Sequence, residues 1–352
     1  MIDSFRFFSR NGIQAVVIIA CLVWGLAGCD ASNPRSTPVI ENSLPPATST
    51  FAPLQETLTA QMANDKEAVL DKTFKKFLAQ PVDEFIISQG DFKKELTHGD
   101  IFILDVRSPL EVRKAGFIKG EVLIPLRELG RKTSLLPDFE DPVVVFADDD
   151  WRCFIAVVGL NVFGWGVRCL AGGFEQWVLE DNEILFGELP VPAFDPSRPA
   201  FPCCFVGAGN VGAGFDPTQV ANLSIPDPLL YAAVNEMFNH LPDDWGKINA
   251  TELTSTLQSA QNLVLIDVRT DVEHQEYAPL SAHSSIGIPF DDLITMKSYW
   301  PADKTTPILV YSDNNYRSVL AMTILWIYGY DHVSALADGI DSIESPPGAF
   351  SP

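Results

Sequence analysis

Two six-residue stretches hold the side chains best suited to chemistry: Ala147-Asp148-Asp149-Asp150-Trp151-Arg152 and Ser312-Asp313-Asn314-Asn315-Tyr316-Arg317. Each follows a short apolar run, "VVVF" or "ILVY". A serine hydroxyl becomes a nucleophile only when a neighbouring base takes its proton, and neither stretch contains a histidine. Ser312 therefore reads as a capping or solvated loop serine. Ala147 has no lone pair to offer. Two like charges about 4 Å apart repel by about 1 kcal/mol at water's dielectric and about 4 kcal/mol at an effective value of 20, so Asp148, Asp149 and Asp150 oppose an anionic substrate. The nearest thiol is Cys153, just past Arg152. It is expected to open a helix and face away from position 147. The histidines at 98, 240, 274, 283 and 332 show no ligand spacing with the cysteines, so neither a metal nor another cofactor is expected.

The elements that must position these residues occur twice. Phe77, Pro81, Asp83, Ile87 and Leu96 recur as Phe238, Pro242, Asp244, Ile248 and Leu257. "IFILDVR" (101–107) recurs as "LVLIDVR" (263–269), Pro125 as Pro289, and "PVVVFADDDWR" as "PILVYSDNNYR". The apolar runs have the form of parallel strands buried on both faces. Helix-length segments such as "CFIAVVGLNVFG" and "SVLAMTILWIYG" alternate with them. The pattern predicts two three-layer α/β domains, residues 65–187 and 226–345, each an open parallel sheet with helices on both faces. Between them, residues 188–225 are rich in Pro and Gly and read as a linker. "GAGNVG" in that linker fits a dinucleotide-binding fingerprint, but Pro217 follows where a helix would have to start.

In order, these signposts resemble the rhodanese (sulfurtransferase) family. They are Asp105-Val106-Arg107, Glu111, "GFIKG" (116–120), Pro125 and "LAGGFEQW" (170–177), then Asp267-Val268-Arg269, Glu273, Pro289 and a reduced "LADGIDS". In an active member the loop after the fourth strand reads Cys-x-x-Gly-x-Arg. Its thiolate takes a sulfur atom as a persulfide, with loop N–H groups and a helix N-terminus stabilising the anion. Here Ala147 and Ser312 stand at the cysteine position, Asp150 and Asn315 at the glycine, and Arg152 and Arg317 at the arginine. Only the arginines match. The resemblance implies that Asp105, Arg107, Asp267 and Arg269 brace the loops. The expectation is a catalytically inactive tandem that works as a binding or scaffold module. The competing expectation is a sulfurtransferase or sulfide-handling protein that uses Cys153 or a partner's thiol. Trp151 and Tyr316 share one loop position, either as exposed contacts for a partner or as rings folded over the loop.

The N-terminus places Arg6 and Arg10 before "IQAVVIIACLVWGLAG" and Cys29. The run is short for a membrane span and has the parts of a signal peptide, residues 1–28. Leu26-Ala27-Gly28-Cys29 resembles the lipobox of bacterial lipoproteins, which implies lipidation of Cys29, a flexible tether over 29–64, and an extracytoplasmic protein held to a bacterial membrane by several acyl chains. Cys21 would leave with the signal peptide. Cys153, Cys169, Cys203 and Cys204 then allow three complete disulfide pairings, and the sequence does not choose among them. Across 352 residues, 24 Lys and Arg face 46 Asp and Glu. The formal charge of −22 repels phosphate backbones, so nucleic acid is not an expected partner. The sequence names no protein partner and no oligomeric state.

Overall fold

The computed structural model describes residues 52–99, 101–190, 227–259, 262–276, 280 and 285–340. Cys29, the expected signal peptide, "GAGNVG", Cys203 and Cys204 lie outside the described residues. The first element, α1 (Ala52–Leu78), corrects one expectation: residues 52–64, assigned to the tether, are helical. After Pro53, which a first helical turn tolerates, no Gly or Pro occurs before Leu78, and Ala, Leu, Gln, Glu and Lys dominate. These are strong helix formers. The second half of α1 buries Leu70, Phe74, Phe77 and Leu78.

The first domain follows as β1 (Ile86–Ile87), α2 (Gln89–His98), β2 (Phe102–Asp105), α3 (Pro109–Ala115), β3 (Val122–Leu123), β4 (Val143–Phe146), α4 (Asp150–Phe163), β5 (Val167–Leu170) and α5 (Gly173–Leu179). Its five parallel strands lie in the order β1-β5-β4-β2-β3. The second domain repeats the plan. It runs α6 (Pro228–Asn239), β6 (Lys247–Ile248), α7 (Ala250–Ser259), β7 (Val264–Asp267), α8 (Asp271–Glu276), β8 (Ser285–Gly287), β9 (Ile308–Tyr311), α9 (Asn315–Ile327) and β10 (Val333–Leu336). The order is β6-β10-β9-β7-β8, again parallel.

The central strands β4 and β9 are buried at every residue, as strands covered on both faces must be. Helix α4 is apolar nearly all round and almost wholly buried, which a helix with only one packed face would not require. It has two packed faces, one on its own sheet and one on α9 of the other domain. A single apolar cluster therefore runs through α1, α4, α6 and α9 and joins the two sheets. Within each sheet the register sets Asp105 beside Phe146 and Asp267 beside Tyr311. That register delivers each Asp-Val-Arg to the start of its loop.

Candidate functional site

In the first domain Ala147 follows the last residue of β4 and is fully buried. The carbonyls of Ala147 and Asp148 accept from the N–H groups of Phe174 (2.8 Å) and Glu175 (3.0 Å) at the start of α5. That close approach requires glycine at 173, where φ is +56° and a Cβ would stand 2.6 Å from the carbonyl oxygen of Asp148. The three aspartates do not act as one block of free charge. Asp149 caps α4 by accepting from the Trp151 N–H at 3.1 Å. Asp150 accepts from the Gly172 N–H at 2.6 Å, and burial lifts its carboxyl to about 6 despite that bond. Burial likewise lifts Asp148 to about 6 against the pull of Arg152, 3.0 Å away. Arg152 also forks onto Glu111, with contacts of 3.0 and 2.8 Å. Burial pushes Glu111 up, but hydrogen bonds from Arg152 and Ser108 prevail and hold it at about 2.

Beneath the loop, Arg107 is fully buried and grips Asp105 through Nε and Nη2, the latter at 2.7 Å. The guanidinium lies 3.8 Å from the centre of the Phe174 ring, a cation–π contact in a desolvated setting. Glu121, 4% exposed, accepts from the Ile118 N–H at 2.7 Å. Burial first, then the charge of Asp105, pushes Glu121 up to about 9. At neutral pH Glu121 is therefore a protonated acid.

The second domain repeats this frame with changed details. Asn314 caps α9 by accepting from the Tyr316 N–H at 3.0 Å, and Asn315 opens that helix. Arg317 forks onto Glu273 at 2.6 and 2.7 Å and also meets Asp313 at 3.1 Å. The Arg317 hydrogen bonds hold Glu273 at about 2. Ser312 is fully buried, and its hydroxyl donates to the Asn314 carbonyl. Arg269 grips Asp267 through Nε and Nη2, and His274 Nε2 stands 2.9 Å from the same carboxylate. Among the described residues no group of three or more His, Cys, Asp or Glu could hold a metal ion.

Two sheets of one topology, each with Asp-Val-Arg under a loop whose arginine is pinned by a glutamate, coincide with the segments that match the Rhodanese-like domain pattern, residues 88–180 and 249–345. The chain belongs to the rhodanese-like family. Among solved structures it is similar to a rhodanese-related protein from Thermoplasma volcanium (25% identity over 29% of this chain and 98% of that one, TM-score 0.27). It is also similar to a thiosulfate sulfurtransferase from Pseudomonas aeruginosa (19%, 80% and 48%, TM-score 0.32). A third is SseA from Escherichia coli, described among 3-mercaptopyruvate sulfotransferases (17%, 72% and 98%, TM-score 0.29). No curated protein matches the chain.

The two rhodanese-like domains meet at their loops. Trp151, which the sequence left open between exposed contact and loop cover, is 2% exposed. Its Nε1–H donates to the Trp245 carbonyl at 2.8 Å. Lys247 reaches Asp149 at 2.9 Å, and the Trp245 ring lies under the guanidinium of Arg127 at 4.5 Å and near that of Arg152 at 5.6 Å. Thus a turn of rhodanese-like domain 2 covers the loop of domain 1. Tyr316 lies against Phe154 of α4, ring centres 4.8 Å apart. Cys153 is fully buried and joined to Cys169 by a disulfide. A solvent-facing thiol at 153, which the competing expectation needs, is therefore not what the structure holds. Sequence reasoning also missed Arg127, Glu121, Trp245 and Lys247. The positive φ of 58° at Trp245 marks a tight turn, and Asp244 with Gly246 was its signal in the sequence.

Proposed function

We propose that this tandem rhodanese-like protein transfers no sulfur and works as a binding module held at the outer side of a bacterial membrane. The observation that carries the reading is the occupancy of the two cysteine positions by Ala147 and by a buried Ser312 whose hydroxyl is committed to a backbone carbonyl. A methyl group cannot carry sulfur, and a serine without a base is not a nucleophile. The pinned arginines agree with this, since each already pairs with an aspartate of its loop and a glutamate of a neighbouring helix. The Cys153–Cys169 disulfide supports a compartment outside the cytoplasm, where such bonds persist. No helix among the described residues is long and apolar enough to cross a membrane, and attachment is assigned to lipid on Cys29.

The test of activity is thiosulfate-to-cyanide sulfur transfer by the purified chain. No turnover above background is expected from the wild type or from Ala147→Cys, because Asp150 still occupies the loop's glycine position. Turnover by the wild type would end the inactive assignment. Cys29→Ser should leave an unlipidated, unprocessed precursor, and native membrane-bound protein with an unmodified Cys29 by mass spectrometry would defeat the anchor.

A further inference from the structure

Each domain's side of the junction pairs the same two features: a Pro-led 3-10 turn beside its loop, and a Pro-led turn offered by the other domain. In domain 1 the first is Leu126–Arg131 after Pro125, with φ −52° and ψ 138° at the proline. In domain 2 it is Phe290–Asp292 after Pro289, with φ −49° and ψ 140°. The backbone bonds agree as well: Leu126 N–H to Val106 (3.1 Å) and Phe290 N–H to Val268 (3.2 Å). The second features also correspond, since Glu84 N–H donates to Pro81 at 3.0 Å and Trp245 N–H donates to Pro242 at 3.2 Å. With Pro125 paired to Pro289, position 127 corresponds to 291.

The two positions carry opposite charges. Arg127 fills its side of the junction: its guanidinium donates to the carbonyls of Leu241 and Pro242, the second at 2.8 Å, and to Asp243 at 3.1 Å. On the other side stands Asp291, and the carbonyls that correspond to Leu241 and Pro242 belong to Gln80 and Pro81. A carboxylate cannot donate to carbonyls. Where Arg127 closes one junction, the other is left as a cleft of about 370 Å³, walled by Gln80, Pro81, Val82, Phe290, Asp291 and Arg317 among others. The Arg317 guanidinium is turned to Glu273 and Asp313, so it leaves no unneutralised positive charge for an anion.

We propose that this cleft takes an arginine side chain presented by a segment of a partner protein. The guanidinium would occupy the place that Arg127 takes on the opposite side, donating to the Gln80 and Pro81 carbonyls and pairing with Asp291. Its planar fork suits several acceptors at once, which an ammonium does not. The apolar wall of Leu78, Val82 and Phe290 receives the residue next to it. This deepens the binding-module reading and rests on it for biological purpose, though not for its chemistry.

The chain itself supplies the probe. A fluorescently labelled peptide copying Pro125-Leu126-Arg127-Glu128-Leu129 is titrated with the full chain in detergent, alongside the same peptide carrying citrulline in place of arginine. Saturable binding of the arginine peptide is expected, at least about tenfold weaker for citrulline and about tenfold weaker for Asp291→Asn, as loss of a charge-assisted contact implies. Asp291→Arg should abolish binding and raise the melting temperature, because the chain then fills its own cleft. Absence of saturable binding, equal binding of the citrulline peptide, or unchanged binding by Asp291→Asn overturns the proposal. Asp291 is exposed, so the Asn variant tests it even where the Arg variant fails to fold. Sulfur transfer by the same preparation would sink the inactive assignment and leave the peptide result standing on its own.

Discussion

The indole Nε1–H of Trp151 donates to the main-chain carbonyl of Trp245 at 2.8 Å, between residues 94 apart in sequence. One is the first aromatic of the domain 1 loop helix and the other the tip of a domain 2 turn. The loop that carries sulfur in active relatives of this fold is here a surface on which the second domain rests.

Trp245→Ala should therefore loosen the junction as well as remove apolar area. Trp245 is half-buried and stacks beneath Arg127, so a loss of about 2 kcal/mol is expected, below the range for a fully buried Trp. Urea unfolding followed by a probe in each domain is the measurement. Transitions that coincide in the wild type should separate in the variant, and an unchanged midpoint would count against the latch.

Glu121 sets a pH dependence. Its carboxyl is raised to about 9 by burial and by Asp105, so the folded chain holds a proton that the unfolded chain releases near 4.5. A raised folded value contributes stability that is complete below the unfolded value and fades as pH climbs towards 9. Glu121→Gln keeps the acceptor for Ile118 and a donor towards Asp105 without the proton. It should stabilise the chain at pH 8 by on the order of 2 kcal/mol or more, with little change at pH 5. Equal effects at both pH values would refute the assignment of the proton to Glu121.

Reduction of the Cys153–Cys169 bond, which spans a separation of 16 residues, should cost about 3 kcal/mol in the chain-entropy account. The double variant Cys153→Ala/Cys169→Ala should show the same drop and become insensitive to reductant. Free thiols at both positions in protein purified without reductant would remove the bond from the native state.

Much of this architecture was legible beforehand because its signals are local. Apolar runs such as Val143–Phe146 announce strands buried on both faces, and two Asp-Val-Arg copies fix where the loops sit. The legible part ends where partners are distant. Nothing in "PLRELGR" tells that Arg127 reaches Leu241 and Pro242, because their pairing depends on how two domains dock rather than on any period in the chain. Nothing in "GFIKGEV" marks Glu121 for burial. Its burial goes with the turn in which the Ile118 N–H meets its carboxyl. Cys169 was equally open to three pairings until β5 lay beside α4. The start of α1 was missed because residues 52–64, with their Gln, Thr and Ala, read as a continuation of the polar tether, while Leu70, Phe74 and Phe77, which anchor the helix, lie further along it.

Helix α1 also decides how the protein bears load. Asp71 takes Lys297 Nζ at 2.7 Å and the Tyr328 hydroxyl at 2.7 Å, both from domain 2. Six residues on, Phe77 stacks on Phe85 of domain 1 at 4.5 Å. A pull applied to the chain ahead of Ala52 would thus reach both halves through contacts of one helix, Asp71 on domain 2 and Phe77 on domain 1.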